Sequence, residues 1–240
     1  MPVLPIPGFS DPVSSLTHLA GAVVCAVLGA FLIHRGRGEL RRVVSLAVFV
    51  FSCVLLLSLS GVYHLLSPHT VGRSVLMRLD HAAIFVLIAG SFTPIHVILF
   101  RGLWRLEMLS GIWALAIAGL TVTVVFFSAM PHWVGLAMYL GLGWLGAIST
   151  IAHARRFGVR FILPLLWGAI AYTVGAIAEA AHWPTLIPGV VESHEVFHFA
   201  VLAGIAFHWS FIRRIADGGS VEPLNPQVPV LDVHVGGELR

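Results

Sequence analysis

His194 and His198 stand four residues apart, a spacing that puts both on one face of a helix. Ser60 and His64 repeat that spacing earlier in the chain, and Asp80 follows them. Three neutral imidazoles with a fourth position open make the ligand set of a catalytic zinc site. In that reading His64, His194 and His198 hold Zn2+, which would bring the pKa of a bound water to about 7. Asp80 would accept that water's proton or orient it. Ser60 would hydrogen-bond a ligand or a developing oxyanion. Other readings stay open at this level. A His-x-x-x-His pair on a helix also serves packing or capping, and His64 with His198 could ligate a haem. The haem reading leaves the four-residue pair without a use.

Whether these side chains meet depends on the elements that carry them. The chain is 58% hydrophobic and 10% charged, with a mean hydropathy of +0.94. Ordinary globular chains carry about 25% charged residues. This excludes a disordered protein, a disulfide scaffold, a coiled coil and a nucleic-acid binder. The net charge of +3 comes from 14 Arg against 11 acids, with no Lys. A retinal protein needs a Lys for its Schiff base, so that class is excluded as well.

No Asp, Glu, Lys or Arg occurs in 12–34, 43–72, 81–100, 108–154, 161–178 or 196–212. A crossing helix needs about 20 mostly apolar residues. The stretch 108–154 is long enough for two crossings and holds Met130-Pro131-His132 in its middle, where Pro breaks a helix. The expectation is an all-α, polytopic membrane protein, a bundle of seven transmembrane helices over 12–214. The spans fall at about 12–34, 43–66, 80–100, 107–128, 132–153, 161–182 and 194–212. A short N-terminal tail occupies 1–11 and carries no basic residue, unlike a signal peptide. A disordered C-terminal tail is expected over 215–240. Gly21, Gly29, Gly111, Gly119, Gly141, Gly143, Gly168 and Gly175 suit close helix packing. Cys25 and Cys53 read as small packing residues.

Parity then does the positioning. Span two ends, and spans three and seven begin, on the face where the N-terminus lies (face A). Ser60, His64, Asp80, His194 and His198 therefore share one depth, whereas six or eight spans would separate them. The opposite face B receives eleven Arg beside its spans and face A receives two, Arg73 and Arg78. The positive-inside rule puts face B in the cytoplasm, with the N-terminus outside and the C-terminus inside.

The remaining polar residues read more simply. His34, His69, His132, His153 and His234 are expected to be solvated, and His18, His96 and His208 to bond between helices. Glu192 and Glu195 read as helix N-terminal acids, and Glu179 and His182 as interfacial.

Three motifs carry a resemblance: Ser60-Gly-Val-Tyr-His64, Arg78-Leu-Asp80-His with Ala89-Gly-Ser-Phe-Thr-Pro94, and His194-Glu-Val-Phe-His198. In this order, with seven spans, they resemble the hemolysin III family, the bacterial branch of the progestin and adipoQ receptor superfamily. Thr17-His18 is similar to that family's first-span pattern. The resemblance covers about 12–214 and implies zinc held by His64, His194 and His198, with Asp80 and Ser60 at the family's other polar positions. Its wider relatives include the alkaline ceramidases, which implies a membrane lipid as partner and a zinc-dependent hydrolase of lipid amides or esters, by zinc hydroxide attack with Asp80 as base. The alternative is a non-catalytic membrane sensor or regulator with a structural zinc site.

Overall fold

Seven segments of the computed structural model, which describes residues 4–218, are long and apolar enough to cross a membrane. They are built from eight helices: α1 (Pro12–Arg35), α2 (Leu40–Leu65), α3 (Val71–Leu99), α4 (Gly102–Phe126), α5 (His132–Trp144), α6 (Gly146–Phe157), α7 (Val159–Ala181) and α8 (Ser193–Ile215). No β-strand occurs among the described residues. An all-helical solution follows from the solvent: hydrocarbon cannot hydrogen-bond the backbone, so each segment must satisfy its own. The outer faces are correspondingly apolar, with Phe31 69% and Phe51 61% exposed.

Two features depart from the hydropathy reading. The third crossing begins at Val71, well before 80, because hydropathy marks the lipid-facing stretch rather than the helix. Its first turns carry Arg73, Arg78 and Asp80, and Thr70 caps it by accepting the Arg73 N–H at 3.2 Å. The fifth crossing is two helices, α5 and α6, interrupted at Leu145. The expected C-terminal tail lies outside the described residues from 219 onward. Before that point Asp217 pairs with Arg35 at 2.9 Å.

α2 is the hub, packed against α1 on one side and α3 on the other, and α8 packs on α7 and closes back onto α1 and α3. Leu46, Phe49, Cys53 and Leu57 of α2 share one buried cluster with Phe211, Ile212 and Ile215 of α8. A smaller cluster joins Phe85 and Ala89 of α3 to Ile112 and Ala116 of α4 and Leu142 of α5. Cys25 and Cys53 are free thiols inside this packing. Gly90 sets the α2–α3 approach, since a Cβ there would sit 2.2 Å from the Ser52 hydroxyl. Gly29 does the same for α1 and α2 against Val50 at 2.3 Å. The glycine reading needs one correction: Gly111, Gly141 and Gly143 face open space and set no helix contact.

Candidate metal centre

α2 delivers His64 in its last turn, and α8 delivers His194 and His198 in its first two turns. α8 can start there because Glu192 and Glu195 form a reciprocal capping box, the N-terminal role expected for acids at these positions. Glu195 also accepts a hydrogen bond from Ser14 of α1 at 2.9 Å, which ties the start of α8 to α1.

The three rings turn their Nε2 atoms toward one point. His194 Nε2 lies 3.2 Å from His64 Nε2 and 3.1 Å from His198 Nε2. One ligand atom from each residue lies within 4.8 Å of the others. His64 and His198 are buried, and His194 is partly so.

The far side of each ring decides what these distances mean. His64 Nδ1 stands 2.8 Å from Asp11 Oδ2, and His194 Nδ1 stands 3.2 Å from Glu179 Oε1. An ionised carboxylate only accepts, so both Nδ1 atoms carry the proton. In the neutral rings both Nε2 atoms are then bare lone pairs facing each other at 3.2 Å. Two acceptors in that position repel, and a cation between them removes the conflict. A tetrahedral zinc with Zn–N of about 2.0–2.1 Å spaces its nitrogens by about 3.4 Å. The donor set, its tautomers and its spacing therefore fit a zinc-type ion, with each carboxylate–imidazole pair in the arrangement that orients metal ligands.

His198 is fixed differently. His18 of α1 stacks on it with ring centroids 3.9 Å apart, and His18 Nε2 lies 3.5 Å from the His198 carbonyl oxygen. The helix-to-helix role expected for His18 thus falls beside the centre itself.

Asp80 and Ser60 border the same space. Both line a cavity of about 180 Å³ with His194 and His198, and the Ser60 hydroxyl lies against the Asp80 carboxyl. His81 Nδ1 is 3.7 Å from Asp80 Oδ2 and bonds the Met77 carbonyl at 2.8 Å. A second, largely apolar cavity of about 160 Å³ lies deeper among α3, α5, α6, α7 and α8. Leu56, Ile84, Leu136, Tyr139, Phe197 and Val201 line both.

Just before α1, Asp11 bridges two hydrogen-bond donors from neighbouring helices. It accepts from His64 and from Arg73 Nη2, the latter at 2.5 Å. Burial pushes its carboxyl up, but the hydrogen bonds from His64 and Arg73 outweigh burial and hold it below the usual carboxylate value.

Three other expectations change. His153 is buried, with Nδ1 2.6 Å from the Ser149 carbonyl oxygen, so it is not a solvated histidine. His96 does bond between helices, to Ser149 at 2.9 Å, whereas His208 bonds the Gly204 carbonyl of its own helix. Glu179 is not merely interfacial, since it holds His194. Sequence reasoning missed Asp11 altogether. Its only signal was an acid just before span one, which reads as a helix cap.

The chain matches known proteins over this whole region. A family model described as haemolysin-III related matches residues 9–209. Hemolysin-3 of Bacillus cereus is 33% identical over 196 residues, covering 80% of this chain and 85% of that protein. The hemolysin-3 homolog of Bacillus subtilis is 31% identical over 196 residues, covering 80% and 88%. The progestin and adipoQ receptor-like protein 1 of Caenorhabditis elegans is 28% identical over 258 residues, covering 94% of this chain and 58% of that one.

Proposed function

The chain belongs to the haemolysin-III related family, and from that premise we propose that it is a zinc-binding integral membrane hydrolase of lipid amides or esters. The observation that carries this reading is the meeting of three imidazole Nε2 atoms, with two of the rings, His194 and His198, lining one cavity together with the buried carboxylate of Asp80. A zinc ion held by His64, His194 and His198 supplies Lewis acidity toward water and toward a carbonyl oxygen.

The chain's own residues supply the rest. Asp80 takes a proton from the attacking water as the new C–O bond forms. It returns that proton to the leaving nitrogen or oxygen as the old bond breaks, so one water is consumed per turnover. Ser60 donates a hydrogen bond to the oxygen on which charge develops. Leu56, Ile84, Leu136, Phe197 and Val201 line both cavities, and the deeper apolar one takes the acyl chain and keeps bulk water from it. Glu179 holds His194 in the tautomer that presents Nε2.

The test is hydrolysis by purified, zinc-loaded protein presented with ceramides, acyl amides and lysolipids in mixed micelles. Release of free acyl chains from at least one class, abolished by a chelator and restored by zinc, is expected. No release from any class overturns the hydrolase reading.

The arginine asymmetry orients the site. Eleven Arg border face B and two border face A, so the centre opens on the non-cytoplasmic side. A reporter fused after Arg214 is expected to behave as cytoplasmic, and a non-cytoplasmic result reverses the orientation.

A further inference from the structure

Asp11 is the N-cap residue of α1, yet its side chain makes no capping hydrogen bond. Asp is favoured at this position because its carboxylate satisfies N–H groups of the first turn. Here the backbone keeps the capping geometry, with Ser15 N bonded to the Asp11 carbonyl at 3.0 Å, while the carboxylate turns away from its own helix. It accepts instead from His64 of α2 and Arg73 of α3. In α8, by contrast, Glu192 and Glu195 do cap the helix reciprocally, and Glu195 reaches Ser14 of α1 only with its other oxygen.

The surroundings hold the carboxylate in this position. Asp11 N bonds the His64 carbonyl at 3.0 Å and Ser10 N bonds the Leu65 carbonyl at 3.4 Å, so the segment before α1 is laid along the end of α2. Farther back, Leu4 N bonds the Gly189 carbonyl at 2.8 Å, which ties the same segment to the loop leading into α8. Arg73 also donates to the Leu66 carbonyl and lies over the Tyr63 ring at 4.9 Å. The guanidinium is thus fixed on two sides and faces the carboxylate, side by side with the imidazole.

We infer that Asp11, braced by Arg73, is a positioning residue of the metal centre: a strap from the N-terminal segment that sets the tautomer and ring orientation of His64. This inference rests on the metal-centre reading and extends it to a residue outside the membrane-spanning helices. Outer partners of ligating imidazoles change metal affinity by roughly 10–100-fold when removed. A carboxylate that served only to hold the chain end down would change stability and leave the metal alone.

The experiment uses the full chain purified in detergent and loaded with Zn2+ or Co2+ alone. In Asp11→Asn the side chain stays near-isosteric and remains a good N-cap, but the carboxylate charge is lost. It is expected to bind zinc roughly 10–100-fold more weakly, to release it faster to a chelator, and to shift the visible absorption of the cobalt form. Ser14→Ala breaks the bond to Glu195 and serves as the structural control. It is expected to lower the melting temperature while releasing zinc at the wild-type rate. If Asp11→Asn fails to fold, Asp11→Ser retains a cap and is expected to show the same loss. A folded Asp11 variant with wild-type zinc affinity and an unchanged cobalt spectrum overturns the strap while leaving the metal centre standing. A wild-type protein that takes up neither ion overturns the metal centre and the strap with it.

Discussion

His198→Ala is expected to lose its zinc, and with it the stabilisation that zinc gives the wild type. A metal that binds only the folded state contributes RT ln(1 + [Zn]/Kd), about 2.7 kcal/mol at a free concentration of 100 Kd. Removing one of three nitrogens leaves two, and two imidazoles on helices that otherwise repel each other's lone pairs hold the ion far more weakly. The variant also loses the ring on which His18 stacks at 3.9 Å, so its melting temperature falls for a second reason, the cavity left behind. The useful quantity is therefore the difference between melting with and without zinc, in which the cavity cost cancels. That increment is expected to vanish in His198→Ala and in His64→Ala. Metal analysis of the same samples should show the ion retained by the wild type and absent from both variants. Full zinc occupancy in either one would mean that the three rings meet for some other reason.

The sequence carried the helix count because charge is excluded from hydrocarbon, and the uncharged stretches are about as long as the membrane is thick. It carried the depth of His64, Asp80, His194 and His198 because depth follows from parity alone. It did not carry what stands behind the ligands. Asp11 is 53 residues from His64 in the chain, and its position before a helix has a local explanation that hides the distant one. Glu179 lies 15 residues from His194 across a turn whose path no periodicity describes. The break at Leu145 was equally hidden. Gly141, Gly143 and Gly146 surround it, but glycines also occur in unbroken crossings, as Gly21 and Gly29 do in α1. His153 read as solvated because it ends the fifth span, whereas its ring turns inward to the Ser149 carbonyl and packs edge-on to Phe100 at 4.7 Å. The stretches that hydropathy describes well are those whose environment is lipid. Where a polar side chain finds a polar partner on another helix, the pairing is a property of packing and is invisible in one dimension.

Asp80→Asn is expected to cut hydrolytic turnover by about 10²–10⁴-fold, the usual worth of a positioned acid–base group, while zinc stays bound. The substitution keeps the shape of a buried residue that borders the cavity, so neither the packing of α3 nor the three nitrogens should shift. Among the described residues, what it removes is the one carboxylate lining this cavity besides Glu179, and Glu179 is already engaged by His194. An amide cannot take up the water's proton or return it to a leaving nitrogen, so the loss should fall on kcat and leave KM nearly unchanged. Ser60→Ala removes only a hydrogen bond to developing charge. It should cost less, and the two losses should add only in part, because the hydroxyl and the carboxyl lie against each other. Zinc content separates this outcome from a collapsed site, since a variant that loses both metal and turnover says nothing about proton transfer. If Asp80→Asn keeps its zinc and turns over at the wild-type rate, Asp80 is not the acid–base group. If Asp80→Ala, moreover, restores whatever a deletion strain lacks, the zinc is a clamp between α2 and α8 and the protein acts by its shape.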